Sequence, residues 1–457
     1  MLFHTETFLL WFLPIVLAIY LSAPKKLRVP LLVIASYIFY AWANPFYIFL
    51  IVGSTLLNYF CVRIMEQMHG RARGVVLGVG ITANVLLLGF FKYYGFFNDT
   101  VASLLGHAPL PILSIVLPIG ISFYTFEGIS YCVDCYRDPT KRAHSLLEFA
   151  WFLSFFPHLV AGPIIRFHQM AQQLPSLTPT MKQGAEGIWR FVTGLAKKVL
   201  LADSLASFAD PAFTGVIHSA PLAWIGILAY TLQLYFDFSA YTDMAIGLGL
   251  MFGLRLPENF QYPYFSESIT DFWRRWHMSL SSWCRDYIYI PLGGNRSGLT
   301  RTVINLMITM MVMGLWHGAR WTFVLWGIYH GVLLAGERVC AVLNLRFTLP
   351  LRVRQFITFA VVALGWILFR SQTLTQAIHY AKTLVTGDWS LSVLPAPAWM
   401  IVSVLAIGYA YMFVEPAIPR APTLYRRAML WGIPCLFLIC LVVVLGRTAS
   451  PFLYFQF

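Results

Sequence analysis

Apolar runs recur along the whole chain, at residues 7–23, 29–42, 45–62, 74–91, 110–130, 149–161, 222–237, 303–316, 321–336, 355–369, 398–414 and 429–446. A helix rises about 1.5 Å per residue, so about 20 apolar residues are needed to cross a hydrocarbon core roughly 30 Å thick. Several of the runs hold only 13 to 16 residues. Such pieces are expected to be broken, tilted or re-entrant, which lipid tolerates only where the loose backbone is buried in protein. Composition closes off the other classes. Only 11% of residues are Asp, Glu, Lys or Arg, against roughly 25% in a soluble domain, too few to cover a water-facing surface. Aromatic residues at 16% exclude a disordered chain. The reading is an all-α integral membrane fold with re-entrant or broken helices.

The formal charge of +13 is spread between the apolar runs rather than gathered in one patch, which excludes a nucleic-acid surface and matches the positive-inside bias of cytoplasmic loops. Lys25, Lys26 and Arg28 put the first loop inside and the N-terminus outside. Arg63, Arg71 and Arg73, then Arg137, Lys141 and Arg142, then the stretches 182–198 and 338–354 and the cluster Arg420, Arg426 and Arg427 continue the inner face. The loops 93–109 and 371–397 are poorer in basic residues and are expected outside. The first residues carry no basic leader region and no small-residue cleavage site, so they read as a retained first span. The seven cysteines are scattered; Cys132 and Cys135 form a C-x-x-C, but no second pair completes a zinc site. No internal repeat divides the chain, and 1–457 is treated as one unit.

One stretch breaks the pattern. Between Leu254 and Arg301 no span occurs, yet Phe272, Trp273, Trp276, Leu280 and Trp283 recur at helical spacing with Arg274, Arg275 and Arg285 among them. This predicts an amphipathic helix at the membrane interface, its tryptophans at headgroup depth. Ser268 and Thr270 are expected N-cap hydroxyls.

The chemistry-bearing positions are few. There is no G-x-x-x-x-G-K-[ST], no G-x-S-x-G and no D-x-D, which removes a phosphate-cradling loop, a lipase-type serine and a common metal site for nucleotide sugars. After the uncharged run from Val303 to Trp316 comes His317, about 21 Å along a helix from the start of the run. Arg320 and flanking glycines follow, and His330 lies in the middle of the next run. An ionisable group at that depth is costly and marks a functional site by default; the alternative for both histidines is a neutral packing role. Burial disfavours the charged imidazole, so such a histidine can take the proton of a hydroxyl during acyl transfer from a thioester. Asp237 and Asp243, set in an apolar segment, are candidates either for chemistry or for ion pairs with Arg274, Arg275 or Arg285. His158 is read as structural.

The stretches SFYTFEGISYCVDCYR, FFPHLVAGPIIRF, YTLQLYFDFSAYTDMAIGLGL, ENFQYPYFSESITDFWRRWHMSLSSWCRDYIYIPLGGNR and GLWHGARWTFVLWGIYHG closely resemble the membrane-bound O-acyltransferase family, and within it the branch that O-acetylates bacterial polysaccharides. The resemblance runs from about residue 8 to 370, leaving 371–457 as additional C-terminal spans. It implies a ring of helices around a buried tunnel. The histidine of the family's W-H-G motif falls on His317, and a second histidine falls on His330. Trp273, Arg274, Arg275, Trp276 and His277 match its W-R-R-W-H motif and are expected, with Asp237, Trp316 and Arg320, to line the donor mouth or the tunnel. No bound cofactor or metal is implied; acetyl-CoA is the expected donor substrate. The acceptor is a cell-surface polysaccharide, alginate-like first, acetylated cellulose or peptidoglycan next. The branch also implies the bacterial inner membrane and a separate periplasmic acetyltransferase partner, since the chain ends in apolar PFLYFQF with no soluble domain fused. A related branch takes D-alanine from a carrier protein. The competing class is a secondary transporter or exporter of polysaccharide precursors, which should show paired, interrupted repeats; a third is a non-catalytic scaffold, in which His317 is dispensable.

Overall fold

The computed structural model describes residues 1–42, 44–215, 217–345, 348–389, 397–418, 426–446 and 452–453. Among them the chain is helical, with no strand beyond an isolated bridge between Ser219 and Asp388. The first part runs through α1 (Leu13–Ser22), α2 (Lys25–Ala41), α3 (Tyr47–Gln67), α4 (Gly70–Leu105), α5 (Ile121–Arg137) and α6 (Leu146–Ser154). Two single-turn pieces, α7 (Phe156–Leu159) and α8 (Phe167–Ala171), lead to α9 (Met181–Ala196), α10 (Asp203–Phe213) and α11 (Ala220–Met251). Then come α12 (Ile269–Arg275), α13 (Met278–Cys284), α14 (Gly298–His317), α15 (Trp321–Val342), α16 (Leu351–Arg370), α17 (Leu374–Thr386), α18 (Ala398–Val414) and α19 (Arg426–Gly446). Tyr47–Gln67, Gly70–Leu105, Gly298–His317, Leu351–Arg370 and Trp399–Ala417 are long and apolar enough to cross a membrane. The chain is an integral membrane protein with several such helices.

The central element is α11. Every residue from Ala229 to Met251 is buried, and α7, α9, α10, α16, α17 and α18 all pack on it. Its contact with α9 is backbone against backbone. A Cβ on Gly187 would meet the Gly247 carbonyl at 2.7 Å, and one on Gly194 the Ala240 carbonyl at 2.8 Å. Small residues permit this approach, and dispersion across the contact replaces the hydrophobic drive that lipid does not supply.

Several expectations change here. The run 222–237 is one part of a helix of 32 residues, because Gln233, Asp237 and Asp243 interrupt apolarity without interrupting the helix. Their charges are matched inside the protein. Asp237 pairs with Lys198 at 2.8 Å and accepts the Leu453 N–H at 2.7 Å. Asp243 pairs with Arg190 at 2.6 Å and with Lys197. These partners replace the expected Arg274, Arg275 and Arg285; Arg275 pairs with Asp271 at 2.9 Å and Arg285 with Asp286 at 2.8 Å. Lys197 and Lys198 are therefore buried pairing groups rather than loop charges. In the run 110–130 the helix starts only at Ile121: Pro109, Pro111 and Pro118 lack the N–H a helix needs. The run 149–161 is broken after Ser154, as its length suggested. There His158 Nδ1 sits 3.0 Å from Glu127 Oε1, both buried. Arg420 lies outside the described residues.

The expected interfacial helix is two short helices with a sharp break. Ser268 caps α12, accepting the Asp271 N–H at 3.1 Å. The Thr270 hydroxyl and the N–H groups of Ile269 and Thr270 instead donate to the Glu337 carboxylate of α15 at 2.6–2.9 Å. The chain turns at His277, whose φ of 44° lies in the left-handed region. Trp273, Trp276 and Trp283 point inward and are buried, with Trp283 stacked on Phe126 at 3.9 Å. The tryptophan rings therefore belong to the protein core, not to the headgroup layer.

Candidate functional site

His317 is the last residue of α14, and three devices fix its place. The α14–α15 hairpin is packed to backbone distance: a Cβ on Gly314 would meet the Phe323 carbonyl at 2.3 Å, and one on Gly327 the Met310 carbonyl at 2.4 Å. Gly318 leaves room for the Phe323 ring, which an added Cβ would meet at 2.1 Å. Next, a helix end leaves carbonyls without intrahelical partners, and in hydrocarbon no water supplies one. Here α4 does: Tyr93 Oη donates to the Leu315 carbonyl at 2.8 Å, and Lys92 Nζ donates to the Trp316 carbonyl and, at 3.4 Å, to that of His317. Finally, aromatic rings clamp the imidazole, with centroids at 4.9 Å for Trp316, 5.2 Å for Trp326 and 5.0 Å for Phe369.

His277 approaches from the break between α12 and α13. Its ring lies 6.0 Å from that of Trp316 and within electrostatic range of His317. Asn259 holds the break: its Oδ1 accepts from Ser279 N at 3.1 Å, Ser279 Oγ at 2.9 Å and His277 Nδ1 at 3.2 Å. The backbone N–H can only donate, so Oδ1 is the acceptor for the histidine as well, and the lone pair of His277 sits on Nε2. Burial pushes this imidazole down to about 3, so it is neutral at physiological pH. His330 is placed differently. It is packed among Trp273, Trp326 and Tyr329 at 4.9–5.4 Å, and neither ring nitrogen has a hydrogen-bond partner among the described residues. Trp326 touches both His317 and His330; Trp316 touches both His317 and His277.

A chamber of about 810 Å³ opens beside this group, with Trp273, Arg274, Arg285 and Arg338 in its wall. Along α14 its lining is Thr302, Leu306, Thr309, Met310 and Met313. These follow the three- and four-residue spacing of one helix face, and the next position on that face is His317. A second depression of about 380 Å³ adjoins it, sharing Ser282 and Arg285 and adding Arg137, Lys141, Arg166 and His168. Of the residues expected at the mouth or tunnel, Trp273 and Arg274 line the chamber. Arg275 turns to Asp271, Trp276 packs on Trp366 at 5.1 Å, and Asp237 is held by Lys198. Trp316 borders an apolar groove of about 540 Å³ shared with Tyr93, Phe126 and Leu315, and Arg320 stands on the turn beyond His317. Among the described residues no group of three or more His, Cys, Asp or Glu could hold a metal ion.

Sequence reasoning did not single out Lys92, Tyr93, Asn259 or Glu337. Lys92 carried a usable signal, the one charge in a helical stretch otherwise uncharged from 74 to 97. Asn259 carried none beyond its place in a quoted motif.

Residues 136–379 match the membrane-bound O-acyltransferase family. The chain is 41% identical to the probable alginate O-acetylase AlgI of Pseudomonas putida, with all of both chains covered. It is 46% identical to that of Pseudomonas aeruginosa over 86% of this chain and 76% of the relative. To the peptidoglycan O-acetyltransferase of Helicobacter pylori it is 39% identical, over 84% and 80%.

Proposed function

The chain belongs to the membrane-bound O-acyltransferase family, and from that premise we propose that it transfers acetyl from acetyl-CoA, through the His317 site, toward a hydroxyl of a cell-surface polysaccharide. The observation that carries this reading is that the α14 face lining the arginine-rimmed chamber, from Thr302 to Met313, is the face on which His317 stands one turn beyond the lining. The chamber is of the size expected for a ligand site, 300–1,000 Å³. Its neighbour sets Arg137, Lys141, Arg166 and Arg285 against the carboxylates of Asp134 and Asp286, the latter paired with Arg166 and Arg285 at 2.8 Å each; the excess of cations over carboxylates suits phosphate oxygens, which guanidinium forks bind well. Both the pantetheine arm and the phosphorylated nucleotide of a CoA thioester then have a wall to lie on. This favours acetyl-CoA over a carrier-protein donor.

In the transfer, the neutral imidazole of His317 takes the proton of the acceptor hydroxyl as its oxygen bonds to the thioester carbonyl carbon. The C–S bond breaks, and the departing thiolate takes the proton back from the imidazolium. A positioned base of this kind supplies about 10²–10⁴-fold in rate. His277, neutral and oriented by Asn259, is the second imidazole of this reading. His330, enclosed by aromatic rings, is assigned to packing.

In this reading the chamber faces the cytoplasmic side of a bacterial inner membrane, which the positive-inside bias of the basic loops supports, and 1–457 acts as one polytopic unit. The names of the relatives support a polysaccharide acceptor, alginate-like first and peptidoglycan next; a separate periplasmic acetyltransferase that receives the acetyl group is part of the same proposal. The test is transfer of label from acetyl-CoA in membranes carrying wild type or His317→Ala, with polymer and candidate partner added. Label should reach polymer or partner only with wild type. Equal labelling by both proteins would remove His317 from the chemistry. Retention of label by neither, with the donor hydrolysed nowhere, would favour a transporter.

A further inference from the structure

The backbone from Phe155 to Ile165, irregular apart from the single turn α7, is buried along its whole length. Such backbone has to find its hydrogen-bond partners inside the protein. Side chains from three helices supply them. Phe156 N–H donates to Ser36 Oγ of α2 at 3.0 Å, Ile164 N–H to Ser279 Oγ of α13 at 3.0 Å, and Ile165 N–H to Glu127 Oε1 of α5 at 3.4 Å. The same Glu127 oxygen lies 3.0 Å from His158 Nδ1, close enough for an ion pair although the ring N–H is not aimed along that line. One buried carboxylate therefore holds both limbs of the turn. The start of α5 closes on it as well: a Cβ on Gly120 would meet the Leu159 carbonyl at 2.7 Å.

Two links lead from this turn to the transfer site. The first is a run of hydrogen bonds whose direction is fixed at one end. A backbone N–H only donates, so Ser279 Oγ accepts from Ile164 and gives its own proton to Asn259 Oδ1, at 2.9 Å. Turning the Asn259 amide over would set its NH2 group against the Ser279 N–H, which Oδ1 meets at 3.1 Å. Oδ1 is thereby held as the acceptor for His277 Nδ1 at 3.2 Å. The second link is the residue before Glu127. The Phe126 ring stacks on Trp283 at 3.9 Å and on Trp316 at 5.3 Å, and its carbonyl accepts from Trp283 Nε1 at 3.0 Å. Adjacent residues of α5 thus touch the supports of both imidazoles.

We propose that Glu127 and His158 are a positioning pair for the transfer: they clamp the buried turn, and through Ile164, Ser279 and Asn259 they fix the place and tautomer of His277. Neither touches substrate. This rests on the reading of His277 as the second imidazole of the site. Stability alone does not call for the pair. A buried ion pair recovers its desolvation only with excellent geometry, and hydrophobic side chains of similar volume often hold a fold as well or better. What an apolar pair cannot do is hold the Ile165 N–H and the His158 limb at one point, and with them the direction of the Ile164 N–H.

The test reads the His277 ring by nitrogen NMR with isotope-labelled histidine, in the purified full chain in nanodiscs, the signal being assigned by its loss in His277→Ala. Wild type should carry the ring proton on Nδ1. Ser279→Ala, and the double variant Glu127→Met with His158→Leu, should show the Nδ1–H and Nε2–H forms mixed. Ser279→Thr, which returns the hydroxyl, should return the wild-type form. If the double variant fails to fold, Ser279→Ala still decides the matter. Acetyl transfer by Ser279→Ala should fall about tenfold or more with the KM for acetyl-CoA unchanged, since a misplacement of about 1 Å is enough to cost about 10²-fold. That loss should vanish in a His277→Ala background, because the two residues act through one contact. An unchanged His277 tautomer in both variants, or a loss of rate that adds in full to that of His277→Ala, would overturn the proposal. A His277→Ala enzyme with the wild-type rate would instead refute the reading of His277, and the NMR result would still judge the clamp.

Discussion

Replacing Lys92 by methionine asks whether the α14 terminus is held for stability or for geometry. The substitution keeps the length of the side chain and removes the donor. The Trp316 and His317 carbonyls then lose their partner, at about 1–3 kcal/mol each. Against this, removing an ionisable group from hydrocarbon recovers about 2.5–3.5 kcal/mol. At their central values the terms differ by about 1 kcal/mol, so the melting temperature should move by less than about 4 °C, since a domain of 150–250 residues moves by about 2–4 °C per kcal/mol and a longer chain by less. Geometry has no such compensation. The last turn of α14 would keep only the Tyr93 bond to Leu315, and a shift of the imidazole of about 1 Å is enough to cost about 10²-fold in rate. Lys92→Met is therefore expected to fold, to bind acetyl-CoA with unchanged affinity, and to lose about 10²-fold in single-turnover acetyl transfer, with Lys92→Arg regaining part. A wild-type rate in Lys92→Met would refute the reasoning. A loss of rate matched by an equal loss of folded protein would reduce Lys92 to a stabilising contact.

Removing chamber cations, as in Arg274→Gln or Arg285→Gln, should raise the KM for acetyl-CoA about tenfold at low salt while kcat stays within about twofold; initial rates across salt concentrations read this, and an unmoved KM would take the donor out of the chamber. His330→Phe preserves the aromatic packing and should keep activity within about threefold, whereas His277→Ala should lose about 10²-fold or more; equal losses would return His330 to the transfer machinery. Gly327→Val drives a side chain toward the Met310 carbonyl, which a Cβ alone would meet at 2.4 Å, and should destabilise the protein by about 1–3 kcal/mol or more; an unchanged melting temperature would mean that the α14–α15 contact is looser than described.

The class of fold was legible because bilayer thickness acts on composition directly. The residues that decide the site were legible only in part. His317 stood out as an ionisable group deep in an apolar run, and hydropathy is sufficient to see that. What hydropathy reads badly is a polar group satisfied inside the protein. Asp237 and Asp243 shortened the apparent span of α11, although Lys198, Arg190 and Lys197 neutralise them. The same blindness placed Trp273, Trp276 and Trp283 at the membrane surface. Helical spacing says that they share a face but not whether that face meets lipid or protein. The break at His277 was invisible for another reason. It is imposed by Asn259, eighteen residues upstream in sequence, and no local propensity marks a left-handed histidine.

That break also explains why two histidines from separate elements can both reach Trp316. A continuous helix through Trp276 and His277 would carry the second imidazole along with its neighbours on a regular spiral. The left-handed turn at His277 instead lets α12 keep Trp273 against Trp326, at 5.7 Å, while α13 keeps Trp283 on Phe126, at 3.9 Å. His277 is left between these two anchored stacks, facing Trp316. A non-glycine residue in this region of backbone space is uncommon and persists only where its surroundings fix it. Here Asn259 and Ser279 do so. Strain at His277 and a buried helix end at His317, whose carbonyls lack intrahelical partners, are each unfavourable alone, and both are met by polar groups brought from a different helix or loop. The local costs of the fold are thus concentrated around Trp316, where both imidazoles lie against one ring, and such a concentration of unfavourable features is the pattern expected of a functional site.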